Sequence, residues 1–172
     1  MKRATLVCLA FALVAAGCGS TAPSQANRLI FSADLRSTNE VPPISNAEAG
    51  AQGNSTITFD VTRDGSGNIT AATATFVVNI SGLPPNTPII LSHIHQAAAG
   101  INGNVVINTG LTAATPVTLA NGSGSFERTA SVQGATVDIL TQIIANPSGF
   151  YFNSHSALNP GGVVRGQLVR VQ

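Results

Sequence analysis

Ser55-Thr56-Ile57-Thr58-Phe59-Asp60-Val61-Thr62 alternates strictly, with Ile57, Phe59 and Val61 on one face and hydroxyls or a carboxylate on the other. A period of two marks a strand with one buried face. The β-branched and aromatic residues that fill it suit a pleated, half-buried surface. Arg63-Asp64-Gly65-Ser66-Gly67-Asn68 then supplies turn chemistry, and Ile69 to Ile80 continues as a run rich in Thr, Phe and Val. Together they predict a β-hairpin.

The same texture extends in both directions. Leu29–Leu35 is a first strand, and further strands are predicted at Pro88–His95, Asn104–Asn108, Val117–Leu119, Ser123–Val132, Gly149–His155 and Val163–Val171. About eight or nine short strands punctuated by Gly, Pro and Asn indicate an all-β sandwich or barrel. One segment departs from period two. Within Thr136–Asn146 the apolar positions Val137, Leu140, Ile143 and Ile144 recur at three and four, Thr136 is placed to cap, and Pro147 follows. This predicts one short covering helix.

The N-terminus reads differently. Met1-Lys2-Arg3, an apolar run from Ala4 to Ala16 and then small residues have the order of a secretory signal. A permanent span needs ~20 apolar residues, and roughly 14 precede the break at Gly17. Ala15-Ala16-Gly17-Cys18 resembles a bacterial lipobox, with Ala15 where Leu is more usual. That predicts a signal peptide over residues 1–17, with Cys18 as the lipidated first residue of the mature chain. Two or more acyl chains, palmitate among them, give stable anchoring where one gives only marginal binding. Residues 18–27 carry the small, polar run GSTAPSQAN, which suits a flexible spacer. Residues 28–172 form one domain, about 145 residues being enough for a proper core. The expected location is the cell envelope, at the outer membrane or the outer face of the plasma membrane.

Composition narrows the partners. Charged residues are 9% of the chain, and without Lys2 and Arg3 the remainder holds six arginines against seven acidic residues and no lysine. No basic patch exists of the kind nucleic acid requires. Both cysteines, Cys8 and Cys18, lie in the N-terminal segment, so the domain has no thiol for a disulfide, a thiolate metal site or a nucleophile. Gly-X-Ser-X-Gly, P-loop and His-Glu-X-X-His patterns are missing, and the carboxylates are scattered. No catalytic residue is assigned.

Histidine placement is the most informative chemistry. His93-Ile94-His95 ends a predicted strand, which puts both imidazoles on one face. His155 ends another and shares a face with Tyr151 and Asn153. If the two strand ends meet, three neutral imidazoles converge within ~4 Å, a donor set suited to zinc or copper(II). The alternative is that each histidine is a hydrogen-bonded strand-end residue fixing the adjacent loops, Gln96–Asn104 and Ser156–Gly162. Glu40, in Glu40-Val41-Pro42-Pro43, is a structural or binding candidate with Arg165 or a histidine as its partner. The two prolines hold that stretch extended and outside a central ladder.

Four stretches taken together resemble the CHRD (chordin-type) family. They are Asn39-Glu40-Val41-Pro42-Pro43 followed by Gly50; Ser92-His93-Ile94-His95 with the Gly100–Val105 loop; Tyr151-Phe152-Asn153-Ser154-His155; and Gly161-Gly162-Val163-Val164-Arg165-Gly166-Gln167-Leu168. They stand in the family's order and span nearly all of residues 29–171. The chain departs from the family's pattern in having Val163-Val164 where an acidic residue is common, and Ser156 where threonine follows the last histidine. The resemblance implies a Greek-key β-sandwich, immunoglobulin-like or Cu/Zn superoxide dismutase-like, with no established catalytic activity. The His-X-His strand is similar to the metal strand of Cu/Zn superoxide dismutases. Those enzymes use more histidines and a bridging aspartate, so three histidines cannot build their dinuclear site.

Two functional classes follow. One is a membrane-tethered, non-catalytic binding or structural module facing an envelope or extracellular protein. The other is a mononuclear copper or zinc protein with His93, His95 and His155 as ligands.

Overall fold

The computed structural model describes residues 27–172. The expected signal peptide, Cys18 and all but the last residue of the tether lie outside the described residues. Ten strands and one α-helix follow: β1 (Arg28–Arg36), β2 (Gln52–Arg63), β3 (Ile69–Ser81), β4 (Thr87–Gln96), β5 (Asn104–Asn108), β6 (Val117–Leu119), β7 (Gly124–Val132), α1 (Ala135–Ala145), β8 (Phe150–Ser156), β9 (Val164–Gln167) and β10 (Val169–Arg170). The all-β class with one short helix is as expected, with ten strands in place of eight or nine. Predicted strand Val163–Val171 is divided because Leu168 turns into the core, 1% exposed, and donates its N–H to the Phe150 carbonyl.

Every pairing is antiparallel, in the order β5-β4-β8-β9-β1-β2-β3-β7, with β6 beside β4 and β10 beside β1. Two four-stranded halves are joined by a thin seam, in which β1 and β9 share the single register pair Arg36↔Arg165. The halves fold over one core. Phe76 of β3 and Phe152 of β8 stack across it with centroids 6.0 Å apart, and Phe31 meets Phe59 edge-on at 5.9 Å. Alternation drives this arrangement: Ile57, Phe59 and Val61 are buried, as read from the sequence, while Thr56 and Thr62 stay exposed.

The predicted hairpin forms, its turn closed by the Asp64 carboxylate. That group accepts the N–H of Ser66 and of Asn68 and the Asn68 side-chain amide, which holds its pKa below the usual carboxylate value. Helix α1 packs on β3 and on the edge strands β5 and β7, so it covers the gap the sheet leaves between its edges. Leu140 and Ile143 are its buried residues. Thr136 does not cap it. Gly134, at φ 58°, occupies that position, and the Thr136 hydroxyl instead donates to the Gln133 carbonyl and accepts the Gln133 N–H. Among the described residues no helix is long and apolar enough to cross a membrane.

Candidate metal centre

Strand register builds the site. On the β4/β8 ladder His95 lies opposite Tyr151, His93 opposite Asn153 and Leu91 opposite His155. Successive residues alternate faces, so these six share one side of the ribbon. Ile94 and Phe152, both 0% exposed, take the other side, toward the core. Strand β9 extends the site face, placing Arg165 opposite Asn153 and Gln167 opposite Tyr151. His93, Asn153 and Arg165 thus form one row across three strands.

All three predicted histidines come together. They are buried, at 5%, 8% and 4% exposure for His93, His95 and His155. Their candidate donor atoms lie within 4.8 Å of one another, wider than the ~4 Å expected. A tetrahedral ion with bonds of ~2.0–2.1 Å separates its ligand atoms by roughly 3.3 Å, so binding would draw the rings inward. The His93 and His155 rings are stacked, 4.4 Å between centroids and 6° between planes, and His93 also stacks on His95 at 4.8 Å. The column continues beyond the histidines. Tyr151 lies flat on His95 at 4.7 Å, and the Arg165 guanidinium stands 4.8 Å from the Tyr151 centroid.

Hydrogen bonds set two tautomers. His95 Nδ1 is 2.9 Å from the Gly103 carbonyl, and His155 Nδ1 is 2.9 Å from the Pro160 carbonyl. A carbonyl only accepts, so both Nδ1 atoms carry the proton and both Nε2 atoms carry a lone pair. Each histidine of this pair therefore fixes a loop with one nitrogen, as the structural alternative expects, and leaves the other free. His95 Nε2, His155 Nε2 and His93 Nδ1 are all buried without a hydrogen-bond partner. A backbone carbonyl on the remote nitrogen of an imidazole is the usual support of a metal ligand.

Burial also keeps the imidazoles neutral. It pushes His93 down to about 3, with His155 and His95 adding to the effect. Burial lowers His95 and His155 too, against the opposing bonds to Gly103 and Pro160. Neutral rings are the form that binds a metal.

Glu40 and Arg165 meet as the sequence anticipated, in the partnership that excludes a histidine for Glu40. Arg165 Nε and Glu40 Oε2 are 3.8 Å apart, with exposures of 3% and 5%. Arg165 spends its hydrogen bonds elsewhere, on the Asn39 carbonyl at 2.6 Å and Asn102 Oδ1 at 2.9 Å. It bolts the two loops beside the histidines to β9. Burial raises the Glu40 carboxyl to about 7, with Arg165 pulling the other way. A pocket of about 400 Å³ lies beside this pair, between Thr38–Val41 and Pro43, Ala99–Gly100 and Arg165–Gln167. No histidine lines it.

Sequence reasoning missed Glu48, which is 2% exposed and accepts hydrogen bonds from Ser156 and, at 2.5 Å, from the Asn159 amide. That cluster ties the loop before β2 to the loop after β8. Nothing in its spacing signals it, since Glu48 stands over 100 positions from both of its partners.

No curated protein and no solved structure matches the chain. A family model, the CHRD domain, matches residues 31–168, which hold all three histidines, Glu40 and Arg165. With that match covering most of its length and nearly all of the described fold, the chain belongs to the CHRD-domain family.

Proposed function

We propose that this protein is an exported CHRD module, tethered to the cell envelope through lipid on Cys18, that works without catalysis and binds one copper(II) or zinc ion at His93, His95 and His155. The observation that carries the metal reading is the set of three buried, unpartnered ring nitrogens on one face of β4 and β8. Each buried polar atom left without a partner costs ~1–3 kcal/mol. A cation offsets all three at once, and the loop carbonyls of Gly103 and Pro160 hold two of the rings in the tautomer it needs.

Metal content by inductively coupled plasma mass spectrometry, after equilibration with copper or zinc, tests the reading. It predicts close to one ion per chain, lost in His93→Ala/His95→Ala. Absence of specific metal from a folded wild-type protein refutes it and leaves a module that binds an envelope or extracellular protein. The tether rests on the Lys2-Arg3, apolar-run and Ala15–Cys18 order. It predicts an acyl mass on Cys18 and release of Cys18→Ser from membranes.

A further inference from the structure

We infer that Asn153 supplies the fourth ligand, through Oδ1, and closes the three-histidine centre into an N₃O site with no bound water. This inference rests on the metal reading above and adds to it the identity of the last donor.

Asn153 is 2% exposed, and its Oδ1 is buried without a hydrogen-bond partner. It stands directly opposite His93 on the β4/β8 ladder and two residues before His155. Directly opposed residues in an antiparallel pair have Cβ atoms ~4.5–5.5 Å apart, and residues i and i+2 of one strand share a face. The carboxamide therefore belongs to the face that carries the imidazoles.

Its nitrogen is turned to the other neighbour. Asn153 Nδ2 and Glu40 Oε2 each lie 2.6 Å from the point where a Cβ on Gly162 would stand. Gly162, at φ 136°, is the residue that lets the amide nitrogen and the carboxylate approach its backbone so closely. With Nδ2 against that loop, Oδ1 is the free end of the group.

The balance of unpartnered atoms points to a cation. Seven buried side-chain atoms among the described residues lack partners, and four of them are His93 Nδ1, His95 Nε2, His155 Nε2 and Asn153 Oδ1. The one obligate donor of the seven, Arg165 Nη2, belongs to the guanidinium that faces Glu40, whose Oε1 is also unpartnered. His95 Nε2, His155 Nε2 and Asn153 Oδ1 are acceptors and share one face with His93 Nδ1, which joins them as an acceptor in its Nε2–H tautomer. Such a set needs an electron-pair acceptor, and three imidazoles with one amide oxygen match a first-row divalent ion in four-coordinate geometry. Closed four-coordinate sites hold an ion, whereas catalytic zinc sites keep a position for water. Asn153 as a ligand thus makes capture or structural retention the role of the centre.

The test loads the wild-type protein, Asn153→Ala and Asn153→Asp with copper(II) alone. It measures affinity by chelator competition, inner-sphere water by proton relaxation, and folding by far-ultraviolet circular dichroism. Loss of even an outer-shell partner weakens metal binding ~10–100-fold, so Asn153→Ala is expected to bind at least about tenfold more weakly and to gain a water signal. Wild type should show no inner-sphere water, and Asn153→Asp, which keeps the oxygen and adds charge, should bind at least as tightly without water. Stoichiometric binding with an inner-sphere water in wild type overturns the fourth-ligand inference and leaves the three-histidine site standing. So does an Asn153→Ala variant with unchanged affinity. No specific copper in wild type overturns both. If Asn153→Ala does not fold, the wild-type water signal and Asn153→Asp still decide.

Discussion

Acidification of the metal-free protein separates the buried histidines from the buried glutamate, because the two push stability in opposite directions. His93 has a pKa of about 3 in the folded chain against 6.5 without burial. Its contribution is therefore intact above pH 6.5 and lost as pH falls toward 3, the unfolded chain taking the proton first. At pH 5 the loss is about 1.5 pH units, or ~2 kcal/mol at 1.36 kcal/mol per unit. His95 and His155 are shifted in the same direction and add to it. Glu40 is raised from 4.5 to about 7, so its contribution is full below pH 4.5 and is lost as pH rises through 7. Going from pH 8 to pH 5 it returns ~2.5 kcal/mol and so offsets the whole of the His93 effect. The experiment is urea denaturation in the presence of a chelator, followed by far-ultraviolet circular dichroism and Tyr151 fluorescence at pH 8 and pH 5. Glu40→Gln should lose at least about 2 kcal/mol between the two, and Glu40→Gln/His93→Leu should lose about 2 kcal/mol less than that. A Glu40→Gln protein as stable at pH 5 as at pH 8 refutes the neutral, buried triad.

Gly162→Ala introduces a Cβ 2.6 Å from Asn153 Nδ2 and Glu40 Oε2 at φ 136°. It should cost at least about 2 kcal/mol, read as a shift in the urea midpoint. Phe152→Ala removes a fully buried ring stacked on Phe76 and should cost ~3–5 kcal/mol, enough to unfold a marginal domain in a thermal melt. By contrast, Arg28→Ala breaks a half-exposed bond of 2.8 Å to Asp60 and should leave the urea midpoint nearly unchanged, with any effect vanishing in high salt.

The strands were readable because alternation is a local property. The pattern from Ser55 to Thr62 reports which residues face the core whatever the partner strand turns out to be. The covering helix was readable for the same reason, its Leu140 and Ile143 recurring at helical spacing. Its cap was not: Thr136 has the right chemistry, but a backbone turn at Gly134 takes the position one residue before the helix begins. His93 and His95 could be put on one face from their spacing alone, and Tyr151, Asn153 and His155 on one face of a second strand.

The sequence by itself thus determined the two faces that carry the donors and the lack of thiol or basic-patch chemistry in the domain, and it named Arg165 or a histidine as the partner of Glu40, between which the fold chose Arg165. Tertiary structure alone decided that the two faces are the same face. That depends on β4 pairing with β8 in a register that sets His93 against Asn153, and on loops returning to offer the Gly103 and Pro160 carbonyls. Register between His93 and Asn153, 60 positions apart, is a long-range quantity, fixed by which buried faces fit together, and no local periodicity contains it.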